Sequence, residues 1–307
     1  MLVTGGAGFI GSHLVDRFLK DGHDVVVVDD LSSGRREQVD PRARLVVADI
    51  RRAEAAAAVT AFAPEVVCHH AAQMDVRKSV AAPSFDADVN LVGLLNIVEH
   101  ARLAGSLQHV LFASSGGAMY GEQERFPADE AHPVRAESPY GLAKAISEQY
   151  LDWYQRFYGI GYTALRYGNV YGPRQNPHGE AGVVAIFCNR ILAEKPITIF
   201  GDGGQTRDYV FVDDVVAANA LALEHRLRGG FNVGAGIETD VNALAHALLA
   251  AAAKSVEVKH EAARAGEQRR SVISPAKLKA ACGWAPSVTV ADGLARTFRW
   301  FSERPAA

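Results

Sequence analysis

Through the first half of the chain, short apolar runs alternate with longer segments whose apolar positions recur every three or four residues. Leu2–Thr4 is a short apolar lead-in, and Asp24–Asp29 is a near-continuous valine run, the pattern of a strand buried on both faces. Leu45–Ala48, Val66–His69, His109–Ala113 and Tyr162–Arg166 read as further strands. Between them, Ser12–Lys20 puts Leu14, Val15, Phe18 and Leu19 on one side of a helix. The alanine-rich segment from Ala53, Val89–Ala104 and Pro139–Tyr158 also read as helices. Strands separated by helices predict a parallel sheet with right-handed crossovers, covered on both faces. The fold class is therefore α/β, a doubly wound parallel sheet.

After Arg166 the pattern loosens. Glycine and proline punctuate 168–182, and Gly201–Gln205 is turn-rich. Short strands at Ile197–Phe200, Tyr209–Val212, Phe231–Val233 and Val256–Lys259 alternate with helices at 182–194, 213–227, 240–253 and 291–302. This predicts a first domain over 1–168 and a smaller α/β substrate-binding region over 169–307, with 208–234 folding back onto the first domain. Arg304–Ala307 reads as a frayed tail.

Composition acts mainly by exclusion. Of 307 residues, 49% are hydrophobic and 22% charged, ordinary for a soluble globular protein. A net charge of −3 argues against nucleic acid as a partner, since phosphate binding needs a basic face. Cys68, Cys188 and Cys282 are too few and too scattered for a disulfide framework or a zinc site, and no metal is expected. A reducing, cytoplasmic compartment fits. No apolar run approaches the ~20 residues of a membrane helix, and no signal peptide is visible.

Two segments carry chemistry. Gly5-Gly-Ala-Gly8-Phe-Ile-Gly11 lies between a strand and a helix. Backbone without Cβ can approach a pyrophosphate there, and the helix N-terminus offers N–H groups and a positive dipole end. A glycine triplet alone is a weak signal and can be a packing turn; at a strand–helix junction it reads as a dinucleotide loop. Asp29 closes the second strand 18 positions after Gly11, near the spacing of a carboxylate that bonds ribose hydroxyls. An acid there repels a 2′-phosphate and favours NAD over NADP, although Arg35 and Arg36 stand close by. Asp49 and Ile50 are candidate adenine contacts, against an ordinary strand-end turn.

The second segment is Tyr140-Gly-Leu-Ala-Lys144, which puts a phenol and an ammonium on one helix face. Tyrosine, with a pKa of ~10, is a poor base at neutral pH, and a neighbouring ammonium or nicotinamide cation favours the phenolate. A lone Tyr/Lys pair can also be a solvated face. Downstream of a dinucleotide loop and a strand ending Ala113-Ser114-Ser115, it reads as a nicotinamide-dependent base.

Here the chain resembles the extended short-chain dehydrogenase/reductases, and among them the nucleotide-sugar epimerases related to UDP-glucose/UDP-galactose 4-epimerase. The resemblance runs from residue 2 to about 302. It rests on the loop from Thr4 to His13, Asp29-Asp-Leu-Ser-Ser-Gly34, Ser114-Ser-Gly-Gly-Ala-Met-Tyr-Gly121 and Ser138-Pro-Tyr-Gly-Leu-Ala-Lys144. It continues through Leu165-Arg-Tyr-Gly-Asn-Val-Tyr-Gly-Pro-Arg174 and Gly201–Asp213. The resemblance implies a Rossmann-type fold, tightly held NAD and a UDP-sugar substrate. It implies that Tyr140 removes the 4-hydroxyl proton while C4 gives hydride to NAD; the 4-keto sugar turns, and hydride returns to its other face. It extends the cofactor set to Phe9, Ile10, Ala71, Asn90 and Ser114, with Lys144 on the nicotinamide ribose.

On the substrate side it implies Asn169, Arg207, Arg264 and Glu267, with Arg174 ordering the loop or forming a salt bridge. Arginine suits a diphosphate because its planar fork gives two charge-assisted bonds. The family's usual Ser or Thr on the sugar hydroxyl matches Gly116 here, so Ser115 or a water is expected to supply that bond. Gly116, Gly117 and Ala118 offer no acid for elimination, which favours epimerisation over dehydration. Ser271 falls at a position where a large residue would narrow the sugar pocket. A UDP-hexose 4-epimerase is the expected activity, with UDP-glucuronate 4-epimerisation as the alternative and a dehydratase or reductase behind it. A non-catalytic NAD-binding regulator would have little reason to keep Tyr140, Lys144 and Asn169 together. The resemblance also implies a homodimer through the helices at 89–104 and 139–158. Ile146, Tyr150, Trp153 and Phe157 recur there at helical spacing, although such a stripe also suits an internal core.

Overall fold

The computed structural model describes residues 1–177, 182–263 and 268–303. Strand β1 (Leu2–Thr4) feeds the glycine loop and helix α1 (Phe9–Lys20); β2 (Val26–Asp29) and β3 (Arg44–Val47) follow. Next come α2 (Ala53–Phe62), β4 (Val66–His69) and the short helices α3 (Val76–Ala81) and α4 (Pro83–Ala87). A wide π-type turn, Asp88–Val92, runs into α5 (Gly93–Leu103), so the helix read from Val89 starts earlier and is underwound where Asn90 sits. Then come β5 (His109–Ser115), a single turn α6 (Gly116–Met119), the long α7 (Pro139–Tyr158) and β6 (Gly161–Tyr167).

The second half comprises β7 (Asn169–Tyr171), α8 (Val183–Leu192), β8 (Ile197–Phe200), β9 (Thr206–Phe211) and α9 (Val212–Glu224). It ends with β10 (Gly229–Val233), β11 (Glu238–Asp240), α10 (Val241–Ala252), β12 (Val258–Glu261), α11 (Ala276–Cys282) and α12 (Val290–Ser302).

Seven strands form one parallel sheet in the order β10-β6-β5-β4-β1-β2-β3. The order reverses beside β1, which opens a crevice at the carboxyl ends of the strands, where ligands bind in doubly wound sheets. The central strands are buried as their apolar runs require, apart from Ser115 at the end of β5. The outer strand β3 is half exposed because it has a neighbour on one side only.

The segment after β9 returns to this sheet: α9 packs on α1 and β10 pairs with β6. Strand β9 itself belongs to a separate small sheet, β11-β9-β7, and β8 pairs with β12. No described helix is long and apolar enough to cross a membrane, and no described cluster of three His, Cys, Asp or Glu could hold a metal.

Candidate active site

At the β1–α1 turn, backbone packs against backbone. Gly5 has φ +69°, and a Cβ on it would lie 2.6 Å from the Ala71 nitrogen. A Cβ on Gly11 would sit 2.1 Å from the Gly5 oxygen, so no larger residue fits without moving the loop. Helix α1 starts at Gly8 with no side-chain cap and no acid in its first turn, which leaves the N–H groups around Phe9 and Ile10 facing outward. Thr4 Oγ1 accepts from the His70 and Ala71 nitrogens, at 3.2 Å each, and fixes the end of β4 against the loop.

Asp29 is buried; its Oδ2 accepts from the Ala7 nitrogen and its Oδ1 from the Leu31 nitrogen, each at 2.9 Å. Burial raises its pKa, and these two bonds pull it back. A carboxylate has about four lone-pair sites, so two remain for hydroxyl donors. A helix N-terminus free of acid, glycines in contact and a strand-end carboxylate with spare acceptors together fit a dinucleotide.

The opposite wall is the β5 end against α7. Ser138 caps α7 by accepting from Gly141, and Pro139 opens the first turn, where its missing N–H costs nothing. This sets Tyr140 half-buried at the cleft and Lys144 one turn below it, buried. The Lys144 Nζ lies 4.8 Å from the Phe112 ring centroid and 5.6 Å from that of Tyr140. Burial pushes the Tyr140 phenol up to about 12; the Asp86 carboxylate adds to this, and a hydrogen bond with Ser115 opposes it. Burial pulls Lys144 down to about 8, against the carboxylates of Asp86 and Glu148. The expectation that the ammonium would favour the phenolate is therefore outweighed by burial in the protein alone.

Three residues at the β5 end face in different directions. Gly116 does not face the cleft: a Cβ there would meet Ile273 Cδ1 at 2.8 Å and the Arg166 oxygen at 3.3 Å. The hydroxyl stands one residue earlier. Ser115 accepts from the Ala118 nitrogen at 3.2 Å, capping α6, and lies beside Tyr140, where it favours the phenolate. The cap and the base share one hydroxyl, which fixes its position. Ser114 points the other way and donates to Glu148 Oε1 at 2.6 Å.

Glu148 pairs with Arg166 at 2.7 Å, Arg166 donates to the Tyr120 hydroxyl at 3.0 Å, and Tyr120 donates to Asn232 Oδ1 at 2.7 Å. This buried chain braces the strand end from behind. Sequence reasoning missed Glu148, although it lies one turn beyond Lys144 on the same helix face.

Other candidates are engaged elsewhere. Asp49 is held by Arg51, whose guanidinium keeps its carboxyl below the usual range and also reaches Asp88 at 2.7 Å. Ile50 packs against Gly93. Asn90 bonds the Gln73 backbone through both ends of its amide and donates to Asp86 at 3.0 Å, so it braces the loop after β4. Arg174 forms an ion pair with Asp16 of α1 at 2.7 Å and so ties its loop to the cofactor side.

Across the cleft, Asn169 leads β7 and Arg207 lies on β9. A Cβ on Gly117 would lie 3.8 Å from Ser271 Oγ and 4.0 Å from Asn169 Oδ1, so these three residues line one small space. Gly117 carried no signal beyond its place in a glycine pair. Arg264 and Glu267 lie outside the described residues.

Residues 1–234 match the model of the NAD dependent epimerase/dehydratase family. The chain is similar to the UDP-glucose 4-epimerase of Mycolicibacterium smegmatis, at 46% identity over 311 residues covering 99% of this chain and 98% of the relative. Its structure is similar to that of the UDP-glucose 4-epimerase of Thermotoga maritima with UDP-glucose, with a TM-score of 0.94, 44% identity and 98% of each chain covered. The UDP-glucose 4-epimerase of Thermus thermophilus, solved in complex with NAD, is similar at TM-score 0.94 and 46% identity, again over 98% of each chain.

Proposed function

The chain belongs to the NAD dependent epimerase/dehydratase family, and from that premise we propose that it inverts C4 of a UDP-hexose, interconverting UDP-glucose and UDP-galactose. The observation that carries this reading is the Ser115 hydroxyl beside the Tyr140 phenol, where it favours the phenolate, one turn above the buried Lys144. It supports a proton relay to a sugar hydroxyl, and Gly116, Gly117 and Ala118 put no acid beside it for elimination.

NAD, when bound, supplies a reversible hydride acceptor for C4. Gly5, Gly8, Gly11 and the first turn of α1 would hold its pyrophosphate, Asp29 its adenosine ribose, and Lys144 the ribose next to the nicotinamide. Tyr140 takes the 4-hydroxyl proton through Ser115 as the C4–H bond breaks, leaving a 4-keto sugar. It returns the proton to the oxygen after C4 has been reduced from the opposite face. Atoms and electrons balance over the cycle, and no external reductant is needed. Since burial holds the phenol near 12 in the protein alone, its loss of a proton near neutrality depends on positive charge arriving with the cofactor.

Arg207 faces the diphosphate in this reading, and Asn169 the sugar or pyrophosphate. The small side chains at Gly117 and Ser271 leave room for the ring to turn. Residues 1–168 with 212–233 form the cofactor half and the rest the substrate half. The exposed Leu103, Tyr150 and Phe157 on α5 and α7 support a homodimer through these helices. The three free cysteines fit a reducing, cytoplasmic setting.

The test is to incubate the purified protein, without added NAD, with UDP-glucose and separately with UDP-glucuronate, following the sugar 4-proton by NMR. Conversion of UDP-glucose to its galacto epimer is the expected result. Faster conversion of UDP-glucuronate would move the substrate to the uronic acids. A dehydrated keto product would replace epimerisation by elimination.

A further inference from the structure

One buried carboxylate is not used by that mechanism. Asp208, on β9 between Arg207 and Tyr209, is 2% exposed. Its Oδ1 accepts from the Ala235 nitrogen at 2.6 Å, and its Oδ2 accepts from Gly236 at 3.0 Å and Ile273 at 3.2 Å. A Cβ on Gly234 would fall 2.4 Å from that Oδ2, so the carboxylate reaches these amides only because the turn starts with glycine. The three donors belong to two segments, 27 to 65 residues away in sequence.

The Ile273 amide ends a strap of chain whose other bonds are mostly backbone. Thr206 N donates to the Arg269 oxygen at 3.0 Å, and Ser271 N to the Thr206 oxygen at 3.2 Å. Ala128 N donates to the Val272 oxygen at 2.9 Å, and Val272 N to Gln123 Oε1 at 3.0 Å. The strap thus crosses from β9 to the loop after α6 and carries Ser271 opposite Gly117 and Asn169.

We infer that Asp208 is a positioning residue for the hexose: its carboxylate clamps the strap and the 234–236 turn to β9, so the wall bearing Ser271 is built before substrate arrives. This rests on the cleft being the UDP-sugar site. Arg207 and Asn169 sit on the same small sheet, since Tyr209 pairs with Asn169, so one side chain sets the distance between the sugar wall and the residues read as phosphate and sugar contacts.

The experiment compares the wild-type holoenzyme with Asp208→Asn, which keeps the shape but exchanges one of the two acceptor oxygens for an NH2 donor facing at least one of the three amides. Affinities for UDP-glucose and for UDP alone are measured by calorimetry, with KM, kcat and bound NAD alongside. The expected result is a loss of about tenfold in UDP-glucose affinity relative to UDP, a matching rise in KM, and kcat within about threefold with NAD retained. Unchanged affinities, or equal losses for UDP, UDP-glucose and NAD, would overturn the inference. If the variant does not fold, hydrogen exchange of the wild type decides. Peptides spanning 234–236 and 271–273 should be protected before ligand is added and gain little with UDP-glucose; fast exchange that slows only on binding would refute a prebuilt wall. Absence of any UDP-glucose turnover or binding by the wild type would instead sink the substrate assignment, while the exchange data still judge the clamp.

Discussion

In the β1–α1 turn, shape comes from backbone meeting backbone: Gly11 against Gly5, and Gly5 against Ala71. In the strap that bears Ser271, backbone bonds are joined by side chains reaching far in sequence: Asp208 to Ile273, Gln123 to Val272, and Arg270 to Glu238 at 2.8 Å. The first kind of construction has almost no freedom, because a missing Cβ cannot be replaced. The second can be retuned one side chain at a time. In the proposed reading the former holds the cofactor and the latter lines the space for the sugar.

The comparison can be broken most severely at the residue standing between the two halves. Tyr140→Phe is expected to lower turnover by at least ~10³ and to leave NAD content unchanged; normal turnover by NMR would remove Tyr140 from the role of base. Gly11→Ala attacks the rigid half directly. Its methyl would lie 2.1 Å from the Gly5 oxygen, so a loss of about 3 kcal/mol or more of stability is expected, together with loss of bound NAD, read by thermal melting and by absorbance of released cofactor. A variant that melts normally with NAD in place would show that the loop has slack.

Ser115→Ala is expected to reduce kcat by ~10- to 100-fold at similar KM. Adding Gly116→Ser to it should restore nothing, because position 116 faces Ile273; recovery of activity would reverse the assignment of the hydroxyl.

The retunable half predicts a smaller effect, linked to pH. Burial raises the Asp208 carboxyl to about 6, above its ordinary 3.8. Its stabilising contribution is therefore fully present below the lower value and is lost as pH rises through the higher one. Lowering the pH from 7 to 5 should recover on the order of 1 kcal/mol through this group. Asp202 and Glu238, both held down to about 2 by arginines, keep their charge over that range. The difference in melting temperature between pH 7 and pH 5 should thus shift between wild type and Asp208→Asn, and an identical difference in both proteins would remove the charge from the clamp. Phe157→Glu, at an exposed position of α7 outside both the β1–α1 turn and the strap, is expected to yield monomers by sedimentation with kcat changed less than about threefold.

Much of the rigid half was legible in the sequence because its signals are local. The glycine spacing, the valine strand ending at Asp29 and the Tyr140–Lys144 turn each lie within one element. Less legible were the side-chain partners that hold some of the candidate residues in place. Arg51 for Asp49 and Asp86 for Asn90 are close at hand, but Gln73 for Asn90 and Asp16 for Arg174 become visible only once the chain folds back on itself. That Ser115, rather than a water, stands beside Tyr140 has a finer cause. The end of β5 becomes the cap of α6 within one residue, and pattern alone does not say which residue makes the turn. Asp208 stood in the open beside Arg207, yet nothing in the sequence links it to residues 235, 236 and 273.

The place of β10 in the large sheet bears on how the chain is made. Strand β6 is complete at Tyr167, but its outer neighbour is Gly229–Val233. A ribosome delivers the intervening 61 residues, with β7, α8, β8, β9 and α9, before the strand that covers that edge. Until then the nascent cofactor half carries an open strand edge, a template for mispairing. The two halves are consequently one unit of synthesis, and an excised fragment ending near residue 168 should aggregate rather than fold into a free-standing nucleotide binder.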